Sequence, residues 1–302
     1  MKTPPHGNVT EKAMTELIGI NLAMQTPLHD DGSVDYALWE ALIDVYIDAG
    51  VHGLVLGSGT GQHPYLTRKE CDRLYEVGAK RIDGRCKFIC QTSALVQDEV
   101  IDRARHAEGL GADALMILPP YLEGPEDDDG LFAFYEAIDS TINTTIVGYN
   151  IPQATGISIS VELFNRLNEL EHFDYIKDSS GDITTLQEYL ATGNKVLNGC
   201  DPNTVFALIA GAPGCIWGAA NYMPDESVQL YEHVVKREIP EAMALWDRMI
   251  PSLLYIWRGN YIAKVKAAAR LRGFDGGGVR APVQDLSKEE AKTLAACLEP
   301  LA

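Results

Sequence analysis

The sequence predicts an α/β protein, a (β/α)8 TIM barrel with a C-terminal helical appendage. Three observations carry this expectation. Short apolar runs rich in β-branched residues alternate with longer amphipathic stretches almost to residue 235. The runs number eight, the count at which parallel strand–helix units with right-handed crossovers close on themselves. An open nucleotide-binding sheet, the competing architecture, carries G-x-G-x-x-G after its first strand, whereas here that strand is followed by QTPLHDDGSVD.

The elements follow in order. Residues 1–16 form an N-terminal extension with two prolines and no apolar h-region, which is not expected to be a signal peptide. The first strand is expected within Leu17–Gln25. Tyr36–Ala49 then repeats Leu38, Leu42, Val45 and Ala49 at helical steps, with a start signal at Ser33-Val34-Asp35. The second strand, Gly53–Leu56, runs into the glycine turn Gly57-Ser58-Gly59-Thr60-Gly61-Gln62. Thr67 with Glu70 resembles a capping box for the next helix. Strands three to eight are expected at Phe88–Thr92, Ala114–Leu118, Thr145–Tyr149, Asp174–Lys177, Lys195–Asn198 and Cys215–Gly218, and Asp201-Pro202 places proline in a first helical turn. Helical segments near Pro240–Ile256, Tyr261–Arg272 and Ser287–Leu301 follow, the last two separated by the glycine-rich Gly273–Pro282. The barrel is thus expected over 17–237 and the helical tail over 238–302.

Composition narrows the function. With 25 basic and 43 acidic side chains the formal charge is −18, which disfavours nucleic acid and anionic membrane surfaces as partners. The densest basic stretch, Arg68 to Arg85, is interleaved with Glu70, Asp72, Glu76 and Asp83. No run of eighteen uncharged apolar residues occurs, so no membrane span is expected. Six cysteines form no C-x-x-C pair, and Cys86 and Cys90 read as packing in a strand-like run. A cytoplasmic location is expected.

Side chains at the C-terminal strand ends of such a barrel meet at one mouth, where chemistry is found. Of twelve lysines, only Lys177 ends a strand, in Tyr175-Ile176-Lys177-Asp178-Ser179-Ser180-Gly181-Asp182. Desolvation in a barrel favours a neutral amine able to attack a carbonyl. The alternative is charge pairing with Asp178 or Asp182. Adjacent strand residues face opposite sides, which makes Asp178 a poor partner for an inward lysine. Tyr149, ending the neighbouring strand, offers a phenol for proton transfer or a ring that caps the core. The turn Gly57-Ser58-Gly59-Thr60-Gly61-Gln62 offers unhindered backbone N–H groups for a carboxylate, with the Ser58 and Thr60 hydroxyls near, unless the turn is merely a connection. Asn198, Cys200 and Asp201 stand at the end of strand seven, where Asp201 could equally be an N-cap. Seven histidines, of which only His63 lies near the rim, form no H-x-H or H-E-x-x-H pattern, so no metal is expected. A lysine, a phenol, an anion-binding turn and polar strand ends suit a Schiff-base enzyme of 2-keto acids that needs no cofactor.

These residues resemble the dihydrodipicolinate synthase and N-acetylneuraminate lyase family of class I aldolases. The likeness rests on GSGTGQHPYLT (Gly57–Thr67), YNIPQATG (Tyr149–Gly156) and YIKDSSGD (Tyr175–Asp182), in the family's order and with its separation of Tyr149 from Lys177. The resemblance implies that Lys177 forms the imine, Tyr149 transfers protons, and Thr60 with the Gly59 and Thr60 backbone holds the keto-acid carboxylate. Gln62, Ser179, Asn198, Cys200 and Asp201 are then substrate-site candidates, and the assembly implied is a homotetramer, a dimer of dimers. Five positions depart from the pattern. Ala154 replaces the arginine that binds the aspartate semialdehyde carboxylate in dihydrodipicolinate synthase. Tyr121-Leu122 replaces the paired tyrosines of the intersubunit relay. Gly59 and Gln62 stand for a threonine and a glutamate of the turn, and Asp201-Pro202 stands for the Asp-Glu pair of N-acetylneuraminate lyase.

The expected function is a lyase of neither name-giving type. It would cleave or form a 2-keto acid such as a 2-keto-3-deoxy sugar acid or a related 4-hydroxy-2-keto acid, with pyruvate as the donor. Dehydration of such an acid through the same imine is the alternative, and a non-catalytic metabolite-binding barrel is a third reading. The retained Lys177 and Tyr149 favour catalysis, because binding alone needs no amine beside a phenol.

Overall fold

A strand covered on both faces is apolar at successive residues, because odd and even side chains both find a core. That is the pattern of this chain, seen here in a computed structural model describing residues 16–125 and 127–302. Eight parallel strands close in chain order: β1 Gly19–Ala23, β2 Gly53–Leu56, β3 Lys87–Gln91, β4 Ala114–Ile117, β5 Thr145–Asn150, β6 Phe173–Asp178, β7 Lys195–Asn198 and β8 Gly214–Trp217. Each lies within two residues of its expected ends. β1 pairs with β2 on one side and β8 on the other, so no strand edge is left open. Inward residues such as Val55, Ile89, Met116, Val147, Leu197 and Ile216 form the barrel's own core. Their neighbours in sequence, among them Leu54, Leu56, Phe88, Leu115 and Ile117, pack outward beneath the helices.

The helices are α1 Tyr36–Asp48, α2 Arg68–Ile82, α3 Gln97–Gly109, α4 Asp128–Asp139, the short α5 Pro152–Thr155, α6 Val161–Leu167, α7 Ile183–Ala191, α8 Thr204–Ala210 and α9 Pro224–Val235. Their starts match their signals. Asp35 accepts from the Leu38 N–H at 2.9 Å, and Thr67 and Glu70 form a reciprocal capping box. The buried stripe of α1 differs from the expected one. Trp39, Leu42, Ile43 and Tyr46 face the core, while Val45 is 41% exposed. Both sets recur at helical steps, and the aromatic set wins because Trp39 and Tyr46 bury far more area than Leu38 and Val45.

Beyond the eighth unit lie α10 Ile239–Trp257, α11 Tyr261–Leu271 and α12 Lys288–Leu298. This tail is tied into the first half of the barrel. Lys266, 2% exposed on α11, donates to the Thr26 carbonyl at 2.7 Å. The Arg280 peptide exchanges two hydrogen bonds with the Gln62 amide, at 3.0 and 3.1 Å. The Arg280 guanidinium pairs with Glu70 at 2.7 Å, which holds that carboxyl down at about 2. The expected N-terminal extension lies outside the described residues, save Glu16. Among the described residues no helix is long and apolar enough to cross a membrane.

Candidate active site

Register brings the first two candidates together. β5 and β6 pair Tyr149 with Lys177, and Asn150 with Asp178. Tyr149 stands two residues beyond the inward Val147, and Lys177 two beyond the inward Tyr175, so both point into the barrel's C-terminal mouth. The Lys177 Nζ lies 3.9 Å from the centre of the Tyr149 ring, and the two side chains are buried. The carboxylates that might have claimed the lysine are engaged elsewhere. Asp178 faces outward and accepts from the Asn150 amide at 2.9 Å and from the Ser180 N–H and hydroxyl. Asp182 caps α7 through the Thr184 N–H.

The stem of Lys177 passes over the end of β7 at Gly199. A Cβ there would lie 2.5 Å from Lys177 Cε and would also press on the Ser179 hydroxyl. Both obstructions are ends of flexible side chains, so Gly199→Ala should fold and displace the amine. The expected result is a turnover loss of about 10²-fold, the cost of roughly 1 Å of misplacement, with the melting temperature nearly unchanged. Parallel kinetics and thermal melts check this, and an active Gly199→Ala protein would contradict the assigned path of the side chain.

The turn after β2 supplies the facing wall. Gly57 has φ +62, and a Cβ on it would meet the Tyr75 hydroxyl at 2.5 Å, so the turn needs glycine there. Gly59 and Thr60 line the cavity, and among the described residues no protein acceptor takes their N–H groups. Open backbone donors of this kind are a seat for a carboxylate. The turn is braced from behind by the Thr26 hydroxyl, which donates to the Gly61 carbonyl at 2.7 Å.

Asp201 and Tyr261 complete the ionisable groups of the cavity. Asp201 is 1% exposed, and its carboxyl accepts from the Tyr261 hydroxyl at 3.0 and 3.1 Å and from the Ala219 N–H at 3.2 Å. These partners belong to α11 and to the segment after β8, so its carboxyl reaches across to other elements rather than serving only as a helix cap. Burial pushes it up to about 6. The enclosed space is about 610 Å³, roofed at the α10–α11 corner by Trp257, Asn260, Tyr261 and Ile262.

A family profile described as the dihydrodipicolinate synthetase family matches residues 16–301. The chain belongs to this family. A 4-hydroxy-tetrahydrodipicolinate synthase of Methylobacterium radiotolerans is 32% identical over 278 residues, 91% of this chain and 92% of the relative. A Pseudomonas aeruginosa structure provisionally named a dihydrodipicolinate synthetase superposes with a TM-score of 0.90 at 33% identity, over 95% of this chain and 100% of that one. Dihydrodipicolinate synthase of Acinetobacter baumannii, solved with pyruvate, superposes at 0.89 with 26% identity, over 94% and 98% of the two chains. As a member of the dihydrodipicolinate synthetase family, the protein is a lyase of the class I aldolase fold.

Of the residues expected at the site, Lys177, Tyr149, Gly59, Thr60, Ser179 and Asp201 line this one cavity. Four others do not. Ser58 is buried and shapes the turn, accepting the Gly61 N–H at 3.4 Å. Gln62 is spent on the Arg280 peptide. Asn198 stands in register with the outward Asp178 and donates to the Cys200 carbonyl and the Thr204 hydroxyl. Cys200 is buried beside Gly181, and desolvation pushes its thiol up to about 12. His63, near the rim in sequence, turns its Nε2 to the Ser93 carbonyl at 2.8 Å, and burial brings it down to about 4. Among the described residues no three of His, Cys, Asp or Glu gather as a metal site.

Sequence reasoning missed Trp257, Asn260 and Tyr261, because it admitted only strand ends. A signal was present in Arg258-Gly259-Asn260-Tyr261. A glycine and an asparagine break two amphipathic helices there, and both adopt positive φ, +69 for Gly259 and +43 for Asn260.

Proposed function

We propose that Lys177 condenses with the ketone of a 2-keto acid, that Gly59 and Thr60 hold its carboxylate, and that Tyr149 moves protons at the new imine. The acid is a 2-keto-3-deoxy sugar acid or a related 4-hydroxy-2-keto acid, cleaved to or formed from pyruvate and an aldehyde. The observation that carries this reading is the Lys177 amine held 3.9 Å over the Tyr149 ring at register-paired strand ends. The reaction needs no further cofactor, because the imine nitrogen itself accepts the electron pair of the breaking C–C bond. Ser179 sits where the rest of the substrate would extend, with Gln153, Ser180 and Asn260 as neutral polar groups. Borohydride reduction with a panel of 2-keto acids, followed by mass spectrometry, tests the reading: an adduct on Lys177 supports it, and no adduct with any of them sinks it. Product analysis separates cleavage, which releases pyruvate, from dehydration, which yields a keto acid lighter by one water.

The distal end of the substrate is uncharged in this reading. Among the described residues lining the cavity, Lys177 is the one basic side chain and is taken by the imine, and Ala154 presents only a methyl group. Aspartate semialdehyde would find no partner for its own carboxylate. A hydrogen bond to a charged group is worth about 1.5–3 kcal/mol, or roughly 10- to 200-fold in affinity. The protein should therefore condense pyruvate with aspartate semialdehyde at least about tenfold less efficiently than Ala154→Arg. A coupled assay of the two proteins checks this, and efficient synthesis by the unaltered chain would refute it.

Family membership also supports a homotetrameric assembly, a barrel domain over 17–237 and a cytoplasmic location. Sedimentation velocity on the full chain tests the first of these.

A further inference from the structure

Once Lys177 is committed to the imine and Tyr149 stands over it, two ionisable side chains on the cavity wall have no role: Asp201 and Tyr261. We propose, resting on the reading above, that Asp201, held by Tyr261, is the base that removes and returns the C3 proton of the Lys177-bound keto acid. Asp201 is the one carboxylate among the residues lining the cavity. It lies three residues beyond the end of β7, so Lys177 on β6 stands between it and Tyr149 on β5. The Lys177 stem bends over Gly199, toward the β7 side of the mouth.

The surroundings of this carboxylate suit a base more than a structural ion. A buried carboxylate is costly unless paired, and the strong solution is a cation in direct contact. Here the contacts are a phenol and one peptide N–H, with the Lys177 charge acting through space. The other titratable groups that act on it are Cys200 beside it, Cys215 of β8, and Tyr222 and Tyr261. Burial raises all four, so they stay protonated and neutral where Asp201 ionises. Tyr261, held well above its usual range, is a donor and no rival as a base. With Asp201 itself at about 6, it is ionised at neutral pH and still basic.

The step balances within the site. The Asp201 carboxylate takes a proton from C3, the C3–H electron pair becomes the C2–C3 double bond, and the C=N pair moves onto nitrogen. The positively charged imine becomes a neutral enamine, and Asp201 becomes a carboxylic acid that keeps its bond from Tyr261. Reversal returns the proton to C3, as needed after C–C cleavage.

Pyruvate alone is enough to test this. In D2O the full-length protein should exchange the methyl protons of pyruvate, read by loss of the methyl signal in proton NMR. The rate should fall tenfold per pH unit below about 6, because protonated Asp201 cannot act. Asp201→Asn should lose about 10²–10⁴-fold in exchange, lose that acid limb, and still give the borohydride-trapped adduct on Lys177. Tyr261→Phe keeps the carboxylate but removes a bond that favours its charged form, so its acid limb should move to higher pH. Exchange at the full rate in a trapped Asp201→Asn protein would overturn the proposal, as would trapping and exchange lost together in that variant. An acid limb unmoved in Tyr261→Phe would overturn it even if the asparagine protein failed to fold. No adduct in the unaltered protein would instead remove the imine reading, and this proposal with it.

Discussion

Lys177→Ala is expected to leave a folded protein with no measurable turnover. The loss should be on the order of 10⁶-fold, the scale on which removal of a covalent nucleophile acts. The alanine protein loses the amine of the proposed imine, and among the described residues no other lysine lines the cavity. Lys264 and Lys266 are also buried, but they lie on α11 and are engaged by backbone carbonyls: Tyr255 and Arg258 for Lys264, Thr26 for Lys266. Neither lines the cavity. The fold should survive, because Lys177 packs on the Tyr149 ring and, among the described residues, makes no direct salt bridge whose partner would be stranded. Reduction with borohydride in the presence of pyruvate should add mass to the unaltered chain at Lys177 and none to the variant. An adduct on Lys264 or Lys266, or retained activity, would end this assignment.

Tyr149→Phe should lower kcat by about 10²–10⁴-fold, the usual worth of general acid–base help, while KM changes little. The substitution keeps the ring under the Lys177 amine, so the nucleophile stays in place and only the hydroxyl is lost. An interaction used chiefly in the transition state shows in kcat. Leu122 strengthens the expectation. It stands where the family's relay tyrosine would be, is 75% exposed and does not line the cavity. A leucine has no proton to pass on, so in the proposed reading Tyr149 would carry the transfers at the carbinolamine oxygen without that relay. Steady-state kinetics on the substrate found by trapping decide the matter, and a change confined to KM would reduce Tyr149 to a packing residue.

The strands were legible in the sequence because a barrel buries both of their faces, and a doubly buried strand leaves an unbroken apolar run between turn residues. The burial phase of α1 was not legible, since two residue sets on that helix share the helical period and only packing against neighbours chooses between them. At the site, the strand-end rule picked out Lys177, Tyr149 and Asp201, and the glycine turn Gly59 and Thr60, all of which line one cavity. Asn198 and Cys200, picked out by the same rule, turn instead into local hydrogen bonds and packing. Parity along the strand would have warned of Asn198, an outward position paired with Asp178. Tyr261 was hidden for a different reason. It comes from beyond the eighth unit, and no local pattern tells a helix start which part of the fold it will cover.

That late contribution has a consequence for the protein's synthesis. A ribosome that has released residues 1–237 has delivered all eight strands, with Lys177 and Tyr149. It has not yet delivered Tyr261, which holds Asp201, nor Arg280, whose peptide braces Gln62 across a separation of 218 residues. The nascent barrel thus emerges with Lys177 in place and the turn after β2 braced by Thr26, but without the α10–α11 corner and without the second brace on Gln62. The cavity wall is complete only with the final segment, after the strands have had time to close. A chain cut short before Tyr261 would keep the barrel's strands and lack the wall that Asn260, Tyr261 and Ile262 supply.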